Sequence, residues 1–196
     1  MAGLERPTKE LVEKYWREFE QKNSAEEAAI KELFKMFPDN KDYRGVLLKS
    51  IVINTLYATQ IGAIVKVARH IFGLNVDARL KTGDPLLVDQ IAKVTINGKE
   101  RRNYAFATKY CSFHNPCEYP IYDSFVDRVL RAYQKQERFS SLPLGDLKDY
   151  EHFKEILRAF VLFYDLRAVN ARELDCFLWG YGKEIFGKKR AALSSR

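Results

Sequence analysis

Cysteine is scarce in this chain of 196 residues, with three thiols at Cys111, Cys117 and Cys176. Three cannot form a paired disulfide framework, and their spacing fits neither a zinc ribbon nor a four-cysteine iron–sulfur pattern. Reduced thiols in a cytosolic protein are the expectation. The three histidines, His70, His114 and His152, share no ligand spacing with one another or with acidic residues, which predicts no metal site. Long apolar runs are missing as well: none approaches the roughly 20 residues of a membrane span. The first residues, Met1 to Arg6, lack the apolar stretch of a secretion signal. There is no phosphate-binding glycine loop, no Gly-x-Ser-x-Gly elbow and no dinucleotide fingerprint. These absences predict a soluble, cytoplasmic protein without a membrane partner or cofactor.

What the chain does have is helical periodicity and positive charge. Hydrophobic residues make up 46% and aromatics 13%, enough for a full core without staples. The net charge of +7 suits a polyanionic partner, nucleic acid above all, although ordinary soluble domains are often this basic. Thr8 is a candidate N-cap for a helix carrying Val12, Tyr15, Trp16 and Phe19 on one face. Ser24 and Glu27 stand in capping-box relation and predict a second helix, with Ile30, Leu33, Phe34 and Phe37 as its stripe. The run from Val46 to Tyr57 is apolar nearly all round and exceeds usual strand length, which predicts a central buried helix. The next helix puts Ile61, Ile64, Val65, Ala68 and Phe72 inward and Lys66 and Arg69 outward, ending at Gly73. Between these two helices the polar Thr59-Gln60 corner is either a plain turn or a tip that meets a ligand.

Asp84-Pro85 predicts a short helix bearing Leu87, Val88 and Ile91. Asn97-Gly98 is the strongest short signal for a type I′ hairpin, though a glycine turn between two helices, with amides open to a phosphate, fits the same residues. Three more amphipathic helices follow: one with Tyr104, Ala107, Tyr110 and Cys111; one starting at Asp123; one with Phe153, Ile156, Leu157 and Phe160. A last helix opens on the cap pair Asn170/Glu173 and buries Leu174, Phe177, Leu178, Tyr181 and Ile185. The fold class is all-α, with at most one small hairpin. The residues outward on these helices and on the hairpin, Lys66, Arg69, Arg101, Arg102, Arg128 and Arg131, form a phosphate-contacting face if the elements align; solvated charge explains each singly.

The most distinctive stretch is Asn115-Pro116-Cys117-Glu118-Tyr119-Pro120-Ile121-Tyr122-Asp123, a Pro-bounded turn ending in a carboxylate at a helix start. Capping alone explains an aspartate there, because its oxygens accept from the first free amides. The segment Pro120-Ile-Tyr-Asp-Ser-Phe-Val-Asp-Arg-Val-Leu130 also resembles the one that carries the catalytic aspartate in helix-hairpin-helix DNA glycosylases. Asn54-Thr-Leu-Tyr-Ala-Thr-Gln-Ile61 looks like the helix–loop–helix with which that superfamily approaches DNA at a lesion. Phe106–Pro116 and Leu174–Lys183 are similar to bacterial proteins with the 8-oxoguanine DNA glycosylase fold.

The resemblance implies a two-lobed helical domain over residues 1–186. Its glycosylase-like core spans about 45–135, its other lobe 1–44 and 136–186, and a basic tail 187–196 is expected to be disordered. It implies a monomer that binds duplex DNA with a damaged or modified base, in repair or in defence against phage. Asp123 would stabilise positive charge on the sugar, and Tyr122, Phe113, Trp179 and Cys111 would wall the base pocket. Thr59, Gln60, Asn97, Gly98, Arg101, Arg102 and Arg128 would contact the DNA. Relatives that also cleave the strand carry a lysine directly after a Gly-Val-Gly hairpin. This chain reads Ile96-Asn97-Gly98-Lys99-Glu100, and its spacing to Asp123 is about one helical turn too long. Lys99 and Lys109 are both candidate nucleophiles. A catalytically silent DNA reader, or a helical interaction protein in which Asp123 is only a cap, are the rival expectations.

Overall fold

The structure, a computed structural model, describes residues 3–191. Among them are nine helices and one antiparallel two-stranded hairpin, so the protein is all-α with a single small β element. The chain divides into two compact units, Asn23–Ile121 and a second formed by Met1–Lys22 with Tyr122–Arg196. These bounds differ from the division near 45 and 135 that the resemblance implied.

Helix α1 (Lys9–Met36) runs through residues expected to form two helices. Asn23 leaves helical geometry at φ −130° and ψ 16°, so α1 is two helices meeting at a kink, with the break where it was expected, just before Ser24. At its start Thr8 Oγ1 accepts from the Leu11 amide at 3.2 Å.

In the unit of residues 23–121, α2 (Tyr43–Leu56) begins at Asp42, whose carboxylate accepts from the Arg44 amide at 2.9 Å. Its buried face is Gly45, Val46, Lys49, Ser50 and Ile53. Leu48, Ile51 and Leu56 are exposed, so the expectation of a helix buried all round holds for one face only. The same correction applies to α3 (Ile64–Gly73), where Val67, Ala68 and Ile71 are buried while Val65 and Phe72 face outward. Two short helices follow, α4 (Asp77–Thr82), which the periodicity did not reveal, and α5 (Leu86–Ala92), entered through Asp84, whose Oδ1 accepts from the Leu86 amide. Strands β1 (Lys93–Ile96) and β2 (Lys99–Arg102) pair with Ile96 opposite Lys99. Asn97 and Gly98 have φ of 53° and 72°, the double positive φ of a type I′ turn. Helix α6 (Tyr104–His114) closes this unit and is buried over most of its circumference.

In the other unit, α7 (Ser124–Glu137) buries Val126, Val129, Leu130 and Tyr133. Helix α8 (Tyr150–Phe163) buries Phe153, Ile156, Leu157 and Phe160. Helix α9 (Ala171–Ala191) opens on the expected reciprocal cap, with the Glu173 amide donating to Asn170 Oδ1 at 2.9 Å and the Asn170 amide to Glu173 Oε2 at 3.0 Å. Helices α7 and α9 meet closely because Gly182 has no side chain: a Cβ there would lie 2.9 Å from the Cβ of Phe125 and the Cγ2 of Val129. The segment before α1 is stitched on by Tyr133 Oη, donating to the Glu5 carbonyl at 2.6 Å, and by the Glu5 amide, donating to Tyr181 Oη at 2.8 Å. Residues 187–191, expected to belong to a disordered tail, are the last turn of α9; the rest of that tail lies outside the described residues.

Candidate functional site

Asp123 is the N-cap of α7, with extended backbone at φ −141° and ψ 158°. Its Oδ1 accepts from the Phe125 amide at 2.9 Å, the geometry that a short acceptor gives to the orphan donors of a first turn. Beside it, Tyr122 is buried, its hydroxyl donating to Asp127 Oδ2 at 3.0 Å and its ring edge-on to Phe153. Burial and the Asp127 carboxylate push the Tyr122 phenol well above its usual range.

Within residues 23–121 the chain brings several expected positions together. Lys109 and Phe113 lie four residues apart on α6, so they share a face. The Lys109 side chain is buried, and its Nζ sits 5.7 Å from the centroid of the Tyr57 ring. Phe113 stacks at a tilt on the same Tyr57 at 5.7 Å, and on Phe34 at 5.3 Å. The Tyr57 hydroxyl donates to Glu27 Oε1 at 2.7 Å, which aims the ring. Tyr57 is also the C-cap of α2, the residue where the Thr59-Gln60 loop departs.

That loop is built around Asn54. Its Oδ1 accepts from Thr59 Oγ1 at 2.7 Å and from the Ile61 amide at 2.9 Å, while its Nδ2 donates to the Ile61 carbonyl at 3.2 Å. Ala58 and Gln60 take positive φ of 46° and 57° inside it. A side chain that satisfies three loop groups fixes a conformation two residues would otherwise avoid. Gln60 is exposed and Thr59 half-buried.

The remaining expected residues are placed differently. Lys99 and Arg101 are exposed on β2 and form no salt bridge among the described residues. Lys66 on α3 donates to Asn97 Oδ1 at 2.6 Å and so braces the hairpin tip. Gly98 is open, with nothing within 4 Å of where a Cβ would lie. Arg102 is committed elsewhere: it pairs with Asp89 at 2.8 Å and lies over the Tyr104 ring. Cys111 is fully buried in α6, and burial pushes its thiol far up. Trp179 on α9 contacts Phe19 edge-on, with Lys183 Nζ 4.7 Å above its ring. Arg128 is exposed over Phe186.

Sequence reasoning missed a buried polar centre at Lys49. That lysine is fully buried, and its Nζ donates to the carbonyls of Phe37 (3.1 Å) and Asp39 (2.8 Å) and to Asn40 Oδ1 (2.9 Å). It also lies 3.2 Å from His114 Nε2. An ammonium has three protons and only donates, so Nε2 is a fourth acceptor sharing one of them, which places the imidazole proton on Nδ1. Burial lowers the Lys49 pKa to about 8, partly countered by Asp77 and Asp39. Burial and the Lys49 charge lower that of His114 to about 3. Among the described residues no group of His, Cys, Asp and Glu could hold a metal ion, and no helix is long and apolar enough to cross a membrane.

An all-α protein with a braced basic hairpin, a shaped α2–α3 loop and a buried lysine facing that loop is what the geometry defines. The chain belongs to the HI_0787_N family, whose N-terminal domain model matches residues 11–118. It is 49% identical over 138 residues to an uncharacterized protein of Haemophilus influenzae, a match covering 70% of this chain and 66% of that protein. The chain therefore spans just under two thirds of that relative's length. No solved structure matches at a significant level. The family match encloses the Lys49 centre, the α2–α3 loop, the hairpin and Lys109, and it ends before Asp123.

Proposed function

We propose that this protein is a DNA glycosylase that cleaves the N-glycosidic bond of a damaged or modified base turned out of the duplex. The observation that carries the reading is the meeting of Lys109 and Phe113 with Tyr57 at the root of the α2–α3 loop. It joins two stretches about fifty residues apart in sequence, one resembling the helix–loop–helix with which that superfamily approaches DNA, the other similar to bacterial proteins with the 8-oxoguanine DNA glycosylase fold. The braced hairpin supports the reading with a tip of exposed amide, Lys99 and Arg101, which suits a phosphate backbone.

In this reading the base leaves its stack, and unstacking costs a few kcal/mol, least for a mismatched or damaged base. As the bond to the sugar lengthens, positive charge grows on the ring oxygen and anomeric carbon. A carboxylate fixed by helix amides, as Asp123 is, stabilises that charge without reorganising. Hydrolysis then needs a water at the anomeric carbon, and strand cleavage would need a neutral lysine amine there instead. Of the two candidate lysines, Lys109 is buried beside the shaped loop and Lys99 is solvated on the hairpin. Lys109, beside the shaped loop, is the lysine this reading takes for any Schiff base.

The experiment is single-turnover base release on a panel of modified-base duplexes with the wild type, Asp123→Asn and Lys109→Gln. Asparagine caps nearly as well as aspartate, so Asp123→Asn keeps the fold and removes only the charge. Base release lost in Asp123→Asn supports the carboxylate role, and undiminished release sinks it. A second reading, a DNA-binding module without catalysis, is favoured by the family match ending short of Asp123. It predicts salt-sensitive duplex binding with no abasic product from any substrate.

A further inference from the structure

The connector between α6 and α7 begins at Asn115 and carries the chain to the Asp123 cap. Up to Tyr119 its course is set by a closed circuit of buried and part-buried hydrogen bonds. Asn115 Nδ2 donates to the Leu80 carbonyl at 3.1 Å, and Tyr119, fully buried, shares its one hydroxyl proton between the carbonyls of Arg79 (2.9 Å) and Asp84 (3.1 Å). These acceptors are the C-terminal end of α4 and the turn after it. The N-terminal residue of α4, Asp77, accepts from the Asn40 amide at 3.0 and 3.1 Å and from Asn40 Nδ2 at 2.6 Å. Asn40 Oδ1 in turn accepts from Lys49 and from the Tyr110 hydroxyl. Lys49 closes the ring at His114, the residue next to Asn115.

We propose that Lys49 is a positioning residue: through His114 and Asn40 it holds the α6–α7 connector in one course over residues 115–121. An apolar side chain at this buried place on α2 would avoid the several kcal/mol that removing an ammonium from water costs. Lys49 gains in exchange bonds to the end of α1 and the end of α6, two places that no single apolar contact would fix in direction. Gly83 belongs to the same device, since its φ of 71° and a Cβ position only 2.8 Å from Glu118 leave room there for glycine alone. The catalytic consequence rests on the glycosylase reading; the structural claim does not.

The test uses the full chain with Lys49→Met and, as a separate cut in the same circuit that keeps the aromatic side chain, Tyr119→Phe. Hydrogen exchange is read on peptides covering 112–123, with α8 and α9 as internal references, and single-turnover base release and duplex affinity are measured on the same proteins. Expected are exchange about tenfold faster confined to 115–121 in both variants, and slower base release at saturating protein with duplex affinity within about twofold. Nitrogen NMR should show His114 as the Nδ1–H tautomer in the wild type, and its protonation should move up toward the ordinary range in Lys49→Met. Unchanged exchange at 115–121 in Lys49→Met, or a rise spread evenly over α2, α4 and α6, overturns the proposal. Should the wild type release no base, the exchange and NMR arms still decide the positioning claim, and only the glycosylase reading falls.

Discussion

Lys49 Nζ and His114 Nε2 are 3.2 Å apart, a buried ammonium donating to a neutral imidazole. His114 in the folded protein resists protonation down to about pH 3, against 6.5 for an unhindered ring. Its folded pKa is depressed, so the unfolded chain binds a proton that the folded one refuses, and stability falls as pH drops from 6.5 toward 3. Asp39, Asp77 and Tyr110 also face this centre. Urea unfolding across that range should lose a few kcal/mol in the wild type, and His114→Asn should show a shallower acid slope.

Lys49 gives the opposite end of the profile. Its folded pKa is lowered from 10.5 to about 8, so the unfolded chain again holds more protons, and stability rises between those values. Lys49→Met removes that rise and leaves four acceptors without their donor. We expect it to cost about 3 kcal/mol at neutral pH, measured by urea midpoint.

Gly83→Ala meets both positive φ and the Glu118 side chain. A loss of about 2 kcal/mol is expected, from left-handed strain plus the forced shift of Glu118. Gly62→Ala, in open space with no unfavourable φ, should change thermal stability little.

At the hairpin, Lys66→Ala frees the Asn97 side chain and removes one cation beside the tip. If duplex DNA binds there, Arg101→Ala and Lys66→Ala should each reduce the slope of log affinity against log salt by about one. Arg102→Ala, whose charge Asp89 already neutralises, should reduce it less.

Much of the fold was readable because helices and hairpins leave local marks. Asn97-Gly98 specified its turn through two residues that tolerate positive φ. The Asn170/Glu173 pair and Asp123 gave their helix starts through side chains that reach only their own first turn. The Lys49 centre left no such mark. A lysine within an apolar run reads as the polar edge of a helix, and its acceptors come from Phe37, Asp39, Asn40 and His114, whose convergence is tertiary. The outward faces of α2 and α3 failed for a related reason: Val65 and Val67 are chemically alike, and only their neighbours decide which is buried. Helix α4 is too short for periodicity to register. Lys109 and Phe113 stood out in the sequence as candidates, but not that Tyr57 would lie between them and Glu27.

The hairpin tip also has a chemical lifetime. Asn97 is exposed and is followed by an unhindered glycine, the pairing whose side-chain amide is most readily lost to hydrolysis in ageing protein. Loss of that amide would leave an aspartate facing Lys66 where a neutral acceptor now stands, turning one hydrogen bond into an ion pair. A slow, uncatalysed reaction would thus dim the positive field of the hairpin in old molecules and leave freshly made ones untouched.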